Sequence, residues 1–131
     1  MNDAGSVFNK KDTISLEQYE EVYKLILYQV KEINPEIILV LNQPFTLPVG
    51  NYKDYWEAWH HEIIERQKIV ERLARSNDAI YVRHQDAFNA ACKRAPADYW
   101  IWDGIHPTVA GHELMAREWI NQVKKRLTFI K

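Results

Sequence analysis

Ile37-Ile38-Leu39-Val40-Leu41-Asn42-Gln43-Pro44 is the stretch on which the reading of this chain turns. Its five consecutive apolar residues are too few for an ordinary helix and lack the polar alternation of a strand with one wet face. A strand apolar on both sides is expected to be buried on both, the condition of a parallel sheet covered by helices. Upstream, Leu16, Tyr19, Tyr23, Ile26, Val30 and Ile33 recur in steps of three and four, which predicts one buried face of a helix. Ser15 with Gln18 three residues later predicts a capping box at its start, and Asn34-Pro35 predicts its end. Downstream, a loop with Pro44, Pro48 and Gly50 leads to a second long helix with Trp56, Trp59, Ile63, Val70 and Leu73 on its inner side. Ala79-Ile80-Tyr81-Val82 predicts a second buried strand, followed by a brief helix around Ala87–Cys92 and a last helix from about Val109 to Leu127.

This alternation defines an α/β layered fold. Two strands are few for such a sheet, which usually has about four to six. The expectation is therefore that residues 1–131 form a single partial domain, the later part of a larger α/β domain with an incomplete sheet. The strand Ile37–Leu41 should then have one unpaired edge. Such an edge is a template for pairing with another chain, so a homo-oligomer is expected.

The 131 residues are 47% hydrophobic and 27% charged, the balance of a globular domain rather than a disordered one. Seventeen basic against eighteen acidic residues give a net charge of -1, with no pull toward nucleic acid. No apolar run approaches the roughly 20 residues of a membrane span. The start, Met1-Asn2-Asp3-Ala4-Gly5, lacks the pattern of a secretion signal, and the single cysteine, Cys92, makes no internal disulfide. A cytoplasmic location is expected.

The sharpest chemical signal is Trp102-Asp103-Gly104-Ile105-His106-Pro107-Thr108-Val109-Ala110-Gly111-His112. Asp103 and His106 are three apart, Gly104 allows a tight turn, and Pro107 is placed to begin the last helix. A carboxylate on such a turn accepts the imidazole Nδ1 proton and leaves Nε2 free as a general base. Spacing alone serves equally a helix-capping aspartate beside a surface histidine. His60, His61, His84 and His112 form no His-Glu-x-x-His pattern, and one cysteine excludes a thiolate-rich zinc site, so no metal and no cofactor are expected.

Asp103-Gly104-Ile105-His106-Pro107-Thr108 followed by Ala110-Gly111-His112, at the head of a C-terminal helix, resembles the last sequence block of the SGNH hydrolases, or GDSL-type esterases. Met1-Asn2-Asp3 resembles their Gly-x-Asn-Asp block. Gln43–Gly50 and Trp100-Ile101-Trp102 are similar to the intracellular acetylxylan-esterase-like branch. The resemblance implies a flavodoxin-like three-layer fold with parallel strands. It also implies catalytic roles for His106 as base and Asp103 as its orienter, with the Asn2 side chain as an oxyanion donor. Trp102, Trp100 and Gln43 become candidate substrate contacts, and the implied substrate is a small acyl, above all acetyl, ester of a carbohydrate.

One part of the pattern is missing. The superfamily carries its serine in a Gly-Asp-Ser block after the first strand, and nothing precedes Asn2 here but Met1. Ser6, Ser15 and Ser76 lack the strand-to-loop setting of a nucleophile. The sequence thus predicts a fragment of an esterase without its nucleophile, inactive or very weak alone. The other readings are a non-catalytic oligomerising or binding module and a split enzyme completed by a separate chain.

Overall fold

A computed structural model of the chain describes Ala4 and residues 14–127. Helix α1, Leu16–Ile33, leads to strand β1, Val40–Asn42, and a 3₁₀ turn at Gly50–Tyr55. Helix α2, Trp56–Ser76, crosses over to strand β2, Ile80–Val82. Short helices α3, His84–Ala91, and α4, Ala97–Trp100, precede the last helix α5, Val109–Val123. The two strands run parallel, with Val40 opposite Ile80, Leu41 opposite Tyr81 and Asn42 opposite Val82.

The capping box at the start of α1 is present. The Gln18 amide donates to Ser15 Oγ at 3.2 Å and the Ser15 amide to Gln18 Oε1 at 3.0 Å. The buried face of α1 differs from the sequence expectation. Leu27 is its buried residue, packed with Leu16, Tyr19 and Tyr23, while Ile26 is 50% and Ile33 86% exposed. Leu27 lies eleven residues beyond Leu16, close to three full turns, whereas Ile26 falls short of that line. On α2, Trp59, Ile63, Val70 and Leu73 are buried as expected, and Trp56 is half-buried.

Alternation along the strands sets the layers. Leu39, Leu41 and Tyr81 join Leu27, Ile69, Val70 and Leu73 in one apolar cluster, so α1 and α2 cover that face. Ile80 and Val82 point the other way and are buried, with α5 packed on β2. The expectation that the first strand is buried on both faces fails at this second face. Val40 is half-buried and Ile38 is 47% exposed, while the last helix packs on β2. The strands are also shorter than expected and begin later, at Val40 and Ile80. Among the described residues no helix is long and apolar enough to cross a membrane.

Candidate active site

The loop leaving β1 and the loop entering α5 are built on each other. Trp102 and His106 close a short loop, the Trp102 amide donating to the His106 carbonyl at 3.1 Å, and Ile101 bridges Pro107 antiparallel just outside it. Pro107 therefore sits ahead of the helix it was expected to begin. Thr108 is the N-cap of α5, its Oγ1 accepting from the Gly111 amide at 3.2 Å. A proline before the cap still stiffens the entry without removing a needed donor.

Inside this loop Asp103 is 7% exposed and both of its carboxylate oxygens are engaged. Oδ1 accepts from the Ile105 amide at 3.0 Å and the His106 amide at 2.8 Å. Oδ2 lies 2.6 Å from His106 Nδ1. Burial pushes the Asp103 carboxyl up, and the hydrogen bonds from the His106 ring and the two amides outweigh it and hold the group below the usual carboxylate range. An ionised Asp103 is an acceptor only, so Nδ1 carries the ring proton and Nε2 offers its lone pair. The His106 side chain is 63% exposed, so Nε2 is accessible for proton transfer.

The turn is clamped from outside by the loop after β1. Thr46 Oγ1 donates to the Gly104 carbonyl at 2.8 Å and accepts from Trp59 Nε1 at 2.7 Å. The Leu47 amide also reaches the Gly104 carbonyl, and the Asn51 amide reaches the Asp103 carbonyl. Gly104 has φ +103°, and a Cβ there would stand 2.8 Å from the Val49 carbonyl oxygen. Gly50 has φ +63°, and a Cβ there would stand 2.4 Å from Asp103 Cα. These contacts make Trp59 a support for the turn from the middle of the crossover helix. Trp59→Phe keeps the ring and removes the indole donor; it should destabilise the chain by about 1–3 kcal/mol in urea unfolding. An unchanged midpoint would show that Thr46 holds Gly104 without it.

The other expected site residues divide. Trp102 is 63% exposed and stacks on the His106 ring, centroids 5.8 Å apart at 24°. Trp100 is half-buried, its indole donating to the Ala95 carbonyl at 3.3 Å while the ring packs against the Leu47, Phe88 and Ile101 cluster. Gln43 is 7% exposed, and its Oε1 accepts from the buried Gln85 amide at 3.0 Å, a structural task. Gln85 in turn binds both the amide and the carbonyl of Thr46. Sequence reasoning gave no individual role to Thr46, Gln85 or Gly50, whose tasks appear only once two distant loops meet. Ser15 caps α1 and Ser76 Oγ donates to the Leu73 carbonyl. Asn2 and Ser6 lie outside the described residues.

A buried carboxylate that orients an exposed imidazole, at the head of a helix on a parallel α/β sheet, is an arrangement with the geometry for acid–base chemistry. Its fold and sequence place the chain more narrowly: it belongs to the GDSL-like lipase/acylhydrolase family, whose model matches residues 1–114. The chain is 28% identical over 116 residues to an acetylxylan esterase of Geobacillus stearothermophilus, a match covering 88% of this chain and 50% of that one. The crystal structure of that acetylxylan esterase superposes with a TM-score of 0.72 at 27% identity, over 92% of this chain and 54% of the other. A Parabacteroides merdae protein described as a GDSL-like lipase superposes with a TM-score of 0.86 at 34% identity, over 93% of this chain and 56% of the other. The fold is thus that of the SGNH hydrolases, and the chain spans about half the length of the relatives it matches. Variants of the Geobacillus enzyme described as catalytic mutants replace a serine near its start, an aspartate, and a histidine three residues after that aspartate. The stretch between that serine and that aspartate is longer than all that precedes Asp103 here.

Proposed function

We propose that this chain carries the general base and its orienter for a serine esterase acting on small acyl esters, above all acetyl esters, of carbohydrates. The serine belongs to polypeptide outside this sequence. The observation that carries the reading is the 2.6 Å contact between Asp103 Oδ2 and His106 Nδ1 on a carboxylate already fixed by two amides. His106 Nε2 takes the proton of the serine hydroxyl as its oxygen attacks the ester carbonyl, and Asp103 stabilises the imidazolium that forms. The tetrahedral oxyanion is met by Asn2 together with backbone amides, one such donor being worth about 2.7–4 kcal/mol. His106 then protonates the leaving alcohol, and a water activated by the same nitrogen clears the acyl-serine.

The carbohydrate rests on the name of the Geobacillus relative and on Trp102, whose exposed indole beside His106 offers a flat face to a sugar ring. Trp100 and Gln43, tied into the packing beneath, shape the floor of the site. Self-association through the edge of β1 that has no strand beside it among the described residues, expected from the sequence, is a second reading.

The test is hydrolysis of 4-nitrophenyl acetate by the purified chain beside its His106→Ala variant. Equal rates at the uncatalysed background are expected. A rate that disappears in the variant would place the nucleophile within this chain or its copies, and the reading of an external serine would be wrong.

A further inference from the structure

Tyr99 stands three residues before Trp102, and both side chains are more than half exposed, at 56% and 63%. Three residues of chain hold their Cα atoms within about 11 Å of each other. The proposed function gives Trp102 a task and leaves Tyr99 without one. Beside Tyr99 a cavity of about 300 Å³ opens between α4 and α5, lined also by Arg94, Trp100, Glu113, Leu114 and Arg117. Ligand pockets run from roughly 300 to 1,000 Å³, so this one suits a single ring better than a large molecule.

The wall of the cavity is braced from within the chain. The Tyr99 ring meets Trp100 edge to face, with centroids 4.9 Å apart at 88°. The Tyr99 carbonyl accepts from Thr108 Oγ1 at 2.7 Å. The Trp100 indole donates to the carbonyl of Ala95, the residue after Arg94. One tied segment therefore carries both the exposed ring and the guanidinium. On α5, Arg117 follows Glu113 by four residues and Leu114 by three, which sets all three on one side of the helix.

Charge across the cavity is unbalanced. Arg117 Nε and Nη2 both donate to Glu113 Oε1, at 3.0 and 2.6 Å, so those two groups largely satisfy each other. Arg94 has no carboxylate partner among the described residues, and Glu113 Oε2 has no donor among them. What faces a ligand is an aromatic ring, one unmatched cation and one open acceptor.

We propose that this cavity binds an acidic sugar, a pyranose ring that bears a carboxylate. The ring lies on Tyr99, the carboxylate pairs with Arg94, and a hydroxyl donates to Glu113 Oε2. A bare anion would leave the aromatic face unused, and a neutral sugar would leave the guanidinium unmatched. The choice of a sugar over other rings rests on the proposed function. A short oligosaccharide with its ester at His106 and one ring on Trp102 spans the distance to Tyr99, so the chain is held by a sugar other than the one that loses its acyl group.

The test is titration of the full chain with methyl β-glucuronide and with methyl β-glucoside, which differ in a carboxylate against a hydroxymethyl group. Binding is followed by NMR at the Trp100 indole and at the amides of Arg94, Tyr99 and Glu113 to Arg117. The glucuronide should bind about fivefold more tightly, the upper end for one exposed ion pair. Arg94→Gln should erase that preference and leave the glucoside unchanged. Tyr99→Ala should weaken both glycosides about fivefold and Tyr99→Phe neither; circular dichroism checks that each variant is folded. No binding, equal binding of the two glycosides, indifference to Tyr99→Ala, or shifts that acetate alone reproduces would overturn the site. Binding here needs neither a serine nor His106, so any of those results leaves the esterase reading standing. Tight glucuronide binding that persists in His106→Ala would uphold the site even where hydrolysis of acetyl esters fails.

Discussion

Joined in one polypeptide to the serine-bearing part of the Geobacillus relative, this chain should lose about six powers of ten in kcat when His106 is replaced by alanine. The size follows from the way such groups act as a unit: without the base the serine hydroxyl stays protonated, and losing base or nucleophile in a comparable triad costs about 10⁶. Asp103→Asn should cost about 10⁴, because an amide that donates to Nδ1 favours the wrong tautomer. Asparagine Oδ1 can still accept from the Ile105 and His106 amides, so the turn itself should survive that change. Single-turnover hydrolysis of an acetyl ester by the three proteins measures both ratios. Equal losses below about tenfold would remove Asp103 and His106 from the chemistry.

Gly50→Ala should lower the melting temperature of the chain by roughly 10 °C. Two costs combine. At φ +63° a side chain meets the left-handed penalty of about 1–2 kcal/mol. Its Cβ would also press on Asp103 Cα, backbone that cannot step aside as a flexible side chain can, and overpacking adds about 1–3 kcal/mol. A total near 3 kcal/mol corresponds to about 10 °C for a domain of this size. Gly50→Asn separates the contributions, since asparagine tolerates the left-handed region but still carries the Cβ. It should recover only part of the loss. The downfield Nδ1 proton of His106 should broaden or vanish in both variants as Asp103 is displaced. A shift under about 2 °C would mean that the loop after β1 yields without disturbing the turn.

Much of this arrangement was legible because its determinants are local. The Ser15–Gln18 box, the apolar side of α2 and the Asp103–His106 spacing all depend on residues within a few turns of one another. The face of α1 was misread because the alternation of three and four continued through Ile26, where Tyr23 to Leu27 is the step that follows the helical line. The clamp on the turn was not legible at all. Thr46 meets Gly104 across 58 positions and Gln85 meets Thr46 across 39, and neither threonine nor glutamine announces such a partner. The short strands had the same cause. An apolar run marks what is to be covered, while pairing depends on a neighbour elsewhere in the chain.

Every hydrogen bond that orients His106 through Asp103 spans three residues or fewer. Loops that small close with little loss of chain entropy. The imidazole and its carboxylate therefore behave as a preset socket, organised by four consecutive residues and steadied from the loop beyond β1. Orientation of the imidazole is already accomplished within this turn; on the proposed function, the site still needs a serine hydroxyl and its oxyanion donors brought to that nitrogen. If the proposed function holds, reorganisation during the reaction falls on the groups that meet the imidazole, while the ring stays where the turn has put it.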